Sequence, residues 1–285
     1  MRNHTGHDMT AHTNHAGHGD HSTHAAPGGL SVSENGHTLE FDSTILGAGT
    51  RTVTFRVIGP DGRPVTEYVP EHEKELHLIA VRRDTSGFQH VHPVMDEKGT
   101  WSVEVALEPG DWRFFADVHP AGHDGTMTLG IDVAVAGHYE PRPLPAIDRI
   151  ARIARIDDHT VTLDGELVAG QARELTLTVA RGGEPVTDLQ PYLAAYGHLV
   201  ALRVGDLGHL HVHPEGTPGD GVTAPGPEIT FMAVAPSDGV YRLYLDFLHD
   251  GVVRTAEFTV RTTATAPGPD AAHSHEGHHD AHARH

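Results

Sequence analysis

The 285-residue chain has no cysteine, only two lysines (Lys74 and Lys98), and aromatic residues at just 6%. Without thiols there can be no disulfide, thiolate metal site, iron–sulfur cluster or Cys nucleophile. Long apolar runs are also missing. A signal peptide needs an apolar stretch of roughly 7–15 residues and a membrane helix about 20, whereas aliphatic runs here, such as Leu78 to Val81, are far shorter. The sequence as given therefore predicts a soluble chain with no signal peptide and no direct membrane insertion, cytoplasmic as read. Positive charge is scarce too, with 20 basic against 39 acidic residues and a formal charge of −19. That balance excludes electrostatic binding of nucleic acid. No P-loop, GxGxxG, GxSxG or HExxH motif occurs, and the sequence predicts no enzyme.

What the chain has in excess is histidine: 27 residues, more than Lys and Arg together. Thirteen of them lie at the two ends. His4, His7, His12, His15, His18, His21 and His24 are separated by Gly, Thr, Ala, Asp and Asn. His273, His275, His278, His279, His282 and His285 are interleaved with Asp270, Glu276 and Asp280. Neither segment holds enough apolar material to bury, so residues 1–28 and 264–285 read as disordered His-rich tails. Neutral imidazoles on a flexible tract predict weak, exchangeable metal binding.

Between the tails the chain repeats itself once. A shift of 121 residues superposes Pro64–Pro93 on Pro185–Pro214 without a gap, matching PVTEYVP with PVTDLQP, HLIAVR with HLVALR and HVHP with HVHP. Further on, WRFFAD at 112 meets YRLYLD at 241, and His123-Asp124-Gly125 meets His249-Asp250-Gly251. A Pro-rich run from Tyr139 to Pro145 separates the copies. The expected domains are 29–137 and 151–263, joined by a linker at 138–150.

Each copy contains short runs of alternating polarity. TVTFRVI, LHLIAVR, WSVEVAL, WRFFADV and TMTLGIDVAV occur in the first, and TVTL, ELTLTVA, HLVALR, EITFMAV, VYRLYLDF and VVRTAEFTV in the second. Turn signals such as Gly59-Pro60-Asp61-Gly62 and Ser237-Asp238-Gly239 fall between them. No stretch has sustained helical periodicity; EHEKEL at 71 and YLAAYG at 192 allow one helical turn at most. The fold class expected is all-β, two tandem immunoglobulin-like or cupredoxin-like β-sandwiches. Trp101, Trp112, Phe114, Tyr241 and Tyr244 are expected in their cores.

Four body histidines recur in pairs: His77 with His198, His90 with His211, His92 with His213, and His123 with His249. In HVHP the two imidazoles sit at i and i+2 of a strand and share one face. Gathered at one end of a sandwich, three or four of these rings would hold Cu(II), Zn(II) or Ni(II), once in each half. Such ions would be released as imidazole protonates near or below pH ~6. Asp117 and Asp246 also correspond, and a surface or turn role is expected for them.

The block PVTDLQPYLAAYGHLVALR, with HVHP, YRLYLDFLHDG and VRTAEFTV, resembles a module of largely uncharacterised, His-rich bacterial proteins. These are secreted or membrane-tethered and described as heavy-metal-binding. The resemblance implies an extracytoplasmic metal-handling role for His198, His211 and His213; the pH-linked release of ions is a coupling that a metal transporter or sensor partner could use. GFQHVHP at 87 is also similar to an element of copper–zinc superoxide dismutases, although their bridging-His region and disulfide are not apparent. The readings are thus a metal binder for buffering, delivery or resistance, an immunoglobulin-like structural or adhesive module with incidental histidines, and a copper/zinc metalloenzyme.

Overall fold

A computed structural model describes residues 27–147, 152–210 and 212–263 of the chain. The first repeat comprises β1 (Ser33–Glu34), β2 (His37–Phe41), β3 (Ile45–Gly47), β4 (Gly49–Ile58), β5 (Leu76–Arg82), β6 (Gln89–Val91), β7 (Val94–Met95), β8 (Trp101–Leu107), β9 (Gly110–Val118) and β10 (Met127–Ala136). The second comprises β11 (Ile153–Ile156), β12 (His159–Gly165), β13 (Ala172–Arg181), β14 (Glu184–Pro185), β15 (His198–Arg203), β16 (His209–Leu210), β17 (Val212–Pro214), β18 (Glu228–Val234), β19 (Val240–His249) and β20 (Val252–Arg261). All the strand-like runs read from the sequence form strands. Among the described residues no helix is long and apolar enough to cross a membrane.

Each repeat is a two-sheet sandwich. In the first, one sheet runs β1-β2-β4-β8-β7 and the other β3-β10-β9-β5-β6. In the second, the corresponding orders are β11-β12-β13-β18-β17 and β16-β15-β19-β20. The sequence of pairings, strands A-B-E-D facing C-F-G with an added strand beside C, is that of an immunoglobulin-like sandwich. Of the two sandwich types expected, the strand order selects the immunoglobulin-like one. The inner faces bury Phe55, Trp101, Trp112 and Phe114 in one half and Phe231, Tyr241, Phe247 and Phe258 in the other.

The central strands of the C-F-G sheets break the alternation of a half-solvated strand. Every residue of β5 is buried, as are the central residues 112–116 of β9 and most of β19. Strands buried on both faces need apolar side chains on both. The second cover is the other domain: Ile79, Val81 and Phe115 pack against Val200, Leu202, Leu207 and Tyr244, with Phe88 beside them. The two sandwiches therefore meet face to face through equivalent sheets. At the edge of this interface Gly28 pairs with His209, whose amide donates to the Gly28 carbonyl at 3.0 Å.

The segments EHEKEL and YLAAYG are tight β-turns rather than helical turns. Glu71 and Lys74 exchange two backbone hydrogen bonds, and so do Tyr192 and Ala195. The central residues His72, Glu73, Leu193 and Ala194 all have φ between +47° and +66°, the left-handed region that a type I′ turn requires.

Candidate metal centre

His77 is the second residue of β5, and its Cα partner on β9 is Asp117. Its Nε2 lies 2.9 Å from the Glu71 carbonyl oxygen. A carbonyl only accepts, so Nε2–H is the donor and the neutral ring carries its lone pair on Nδ1. In the second repeat His198 repeats the arrangement, donating from Nε2 to the Tyr192 carbonyl at 2.8 Å. Both carbonyls belong to the first residue of a left-handed turn. The turns thus fix the tautomer of both histidines.

His90 and His92 flank Val91 at the end of β6, the strand entered through Gly87. Gly87 has φ +69°, and a Cβ built there would lie 2.9 Å from the Trp112 ring, so the site requires glycine twice over. His90 Nε2 lies 3.0 Å from His77 Nδ1, and His92 Nε2 lies 3.2 Å from the same atom. Among the described residues these three histidines form a group whose ligand atoms all lie within 4.8 Å of one another.

Behind His90, its Nδ1 is 3.0 Å from Asp246 Oδ2, and the two side chains are each 5% exposed. Asp246 belongs to the second sandwich, 156 residues away in sequence, and its other oxygen accepts from Thr255 Oγ1 at 2.6 Å. A carboxylate oxygen accepts, so His90 Nδ1–H donates and His90 Nε2 bears the lone pair. Two lone pairs, on His77 Nδ1 and His90 Nε2, therefore face each other at hydrogen-bond distance with no proton to share. His92 can supply at most one N–H to the three nitrogens.

A fourth ring, His198, faces His90 at 6.3 Å between centroids, and the exposed His72 bridges toward it at 5.1 Å. A cavity of about 190 Å³ opens beside His77 and His90 between the domains, with His72, His119, His198, Glu71 and Asp117 among its lining. Burial, reinforced by the neighbouring imidazoles, pulls His77 down to about 4 and His92 to about 3. Burial likewise lowers His198 to about 4 and raises Asp117 to about 6. Protonation is thus a poor remedy for the facing lone pairs, and burial places His77, His92 and His198 in the lower part of the range, near or below about 6, expected for release.

The other expected ligands lie elsewhere. His123 sits in the loop after β9, donating from Nδ1 to the Gly125 carbonyl at 3.1 Å, with its ring 5.5 Å from that of His37. His249 is the last residue of β19; its Nδ1 accepts from His159 Nε2 at 2.8 Å and its Nε2 donates to Asp188 at 3.1 Å. Neither joins the imidazole cluster. The HDG match misled because β19 continues through His249 while β9 stops at Val118, which leaves the two histidines structurally inequivalent. His211, the side chain of His213 and all the tail histidines lie outside the described residues. Asp246 is neither at the surface nor in a turn, contrary to expectation, because the first domain covers it. No signal within one repeat could have revealed that, although the unbroken apolar run Leu78 to Val81 was a clue that β5 is covered on both sides.

The strand orders of the two repeats make this a tandem immunoglobulin-like protein. The family model of DUF8832, a domain of unknown function, matches residues 31–135 and 154–264. The chain belongs to that family and carries its domain twice. No curated protein matches it. Similar solved structures include invasin, a bacterial integrin-binding protein, at 10% identity and TM-score 0.24, over 82% of this chain and 41% of that one. A chimeric titin Z1Z2 tandem matches at 13% identity and TM-score 0.21, over 80% of this chain and 97% of that one. Yersinia pseudotuberculosis InvD matches at 14% and 0.24, over 85% and 62%. The chain thus spans well under two thirds of the invasin it matches.

Proposed function

We propose that this protein is a non-enzymatic binder of a divalent transition ion, Zn(II), Cu(II) or Ni(II), held by His77 Nδ1, His90 Nε2 and His92 Nε2 and used for buffering or delivery. The observation that carries this reading is the pair of facing lone pairs on His77 and His90, each fixed by a donor bond on the far side of its ring. A cation between the nitrogens turns that repulsion into coordination. Nitrogens on a tetrahedral ion at ~2.0–2.1 Å would stand roughly 3.3–3.4 Å apart, close to the 3.0 and 3.2 Å found. Asp246 behind His90 supports the same reading, because metal-bound imidazoles commonly donate their other N–H to a carboxylate. His198, with His211 and His213, is the proposed counterpart in the second half, and the tails are weaker collectors.

Titration of the full chain with Zn(II), Cu(II) and Ni(II), in competition with a chelator, tests the proposal. Wild type should hold at least one ion far more tightly than the tails do, and H90A/H92A should lose one. If no tight ion binds, a second reading takes its place: a structural or adhesive tandem module whose buried imidazoles merely fill polar space. The immunoglobulin-like order of both halves favours that alternative.

A further inference from the structure

The proposed ligands all come from the first sandwich, yet the carboxylate behind one of them comes from the second. Asp246 is 3% exposed and accepts two hydrogen bonds, one from His90 Nδ1–H and one from Thr255 Oγ1. No Arg or Lys is paired with it among the described ion pairs. A buried carboxylate without a cation partner is costly, and His90 lies across the domain interface. We infer that Asp246 is a positioning residue for the ion and that the ion, in turn, fastens the two sandwiches together. This inference rests on the metal-binding reading above.

The coupling follows from thermodynamic reciprocity. A carboxylate hydrogen-bonded to a ligating imidazole fixes its tautomer and orientation and raises its basicity; losing such a partner typically costs about 10–100-fold in metal affinity. Asp246 can exert that effect only while the domains are docked. Whatever factor docking contributes to ion affinity, the ion must contribute to the docking equilibrium. A divalent charge on His90 Nε2 polarises Nδ1–H toward Asp246 and supplies the missing cation. The same interface carries the apolar contacts of Ile79, Val81 and Phe115 with Val200, Leu202 and Tyr244, so the ion acts on an existing seam rather than creating one.

Asp246→Asn tests this, since it keeps the shape and an acceptor while removing the charge. Ion stoichiometry should stay the same and affinity for Zn(II) should fall about 10–100-fold. The Co(II)-loaded variant should show displaced visible bands, which a purely structural defect would not produce. Thr255→Val, which retains the charge, should weaken the ion less and serves as the second variant if Asp246→Asn folds poorly. The chain has no native cysteine, so spin labels can be placed uniquely at Glu104→Cys and Glu174→Cys, exposed positions on β8 and β13. The interdomain distance distribution should broaden when a chelator removes the ion and narrow on reloading, with little ion response in Asp246→Asn. Unchanged affinity in Asp246→Asn, or a wild-type distribution blind to the ion, overturns the inference. Failure of wild type to bind an ion at the triad shows instead in the H90A/H92A titration and removes the metal reading itself.

Discussion

Phe88 of the first sandwich lies flat on Tyr244 of the second, ring centroids 4.1 Å apart and planes within 5°, while the Tyr244 hydroxyl donates to the Thr85 carbonyl at 2.6 Å. Stack and hydrogen bond together make Tyr244 the anchor of the interface. Truncation to Ala removes a fully buried ring and should cost about 3–5 kcal/mol. Tyr244→Phe keeps the stack and leaves the Thr85 carbonyl without its donor, for a loss of about 1–3 kcal/mol. Urea denaturation measures both, and equal losses would show that the ring stack contributes nothing at this seam.

The buried imidazoles set the sign of the pH response. His77 and His198 are lowered to about 4 and His92 to about 3, chiefly by burial, whereas in the unfolded chain they titrate near ~6.5. Between these values the unfolded state binds more protons, so stability rises with pH through that window. The ion-free protein should therefore be fully stable above about pH 6.5 and lose stability as pH falls toward 4. Ion retention follows the same window: at pH 5.5 the full chain should still hold its tight ion after ions bound by ordinary imidazoles have left. Complete release by pH 5.5 would contradict the burial of His77 and His92.

The paired turns offer a gain in stability. Glu73 and Ala194 are exposed and have φ of +66° and +61°, a conformation that costs an L-residue roughly 1–2 kcal/mol. Glycine removes that cost but adds unfolded-state entropy of about 0.4–1 kcal/mol. Glu73→Gly and Ala194→Gly should each stabilise by several tenths of a kcal/mol to about 1, read as a raised thermal midpoint. His77 and His198 keep their carbonyl partners, so ion affinity should be unchanged.

Much of the architecture could be read in the sequence because the signals were local. The shift of 121 residues and the alternation in runs such as TVTFRVI mark each strand by its own side chains. HVHP placed two imidazoles on one face, and the structure adds His77 from the neighbouring strand. What stayed hidden was relational. Asp246 meets His90 only because two sheets dock face to face, and periodicity within one repeat does not encode the partner of a sheet. The turns at His72–Glu73 and Leu193–Ala194 escaped notice for a different reason: they adopt left-handed conformations with none of the Gly or Asn that normally announces them. The dominant local contacts there are the carbonyl bonds to His77 and His198.

His159 and His249 make a separate pair. His249 donates from Nε2 to Asp188 and accepts from His159 on Nδ1, so every position around its ring is taken and no lone pair is left for an ion. Both side chains are almost fully buried. His249→Ala should leave ion stoichiometry untouched, in contrast to H90A/H92A. It should still destabilise the second sandwich by about 1–3 kcal/mol, because His159 Nε2 then has a buried donor without an acceptor. His249→Gln, which can present a carbonyl oxygen to that donor, should recover part of the loss. Titration and urea denaturation of the two variants check both statements, and loss of a tight ion in His249→Ala would return this residue to the ligand set.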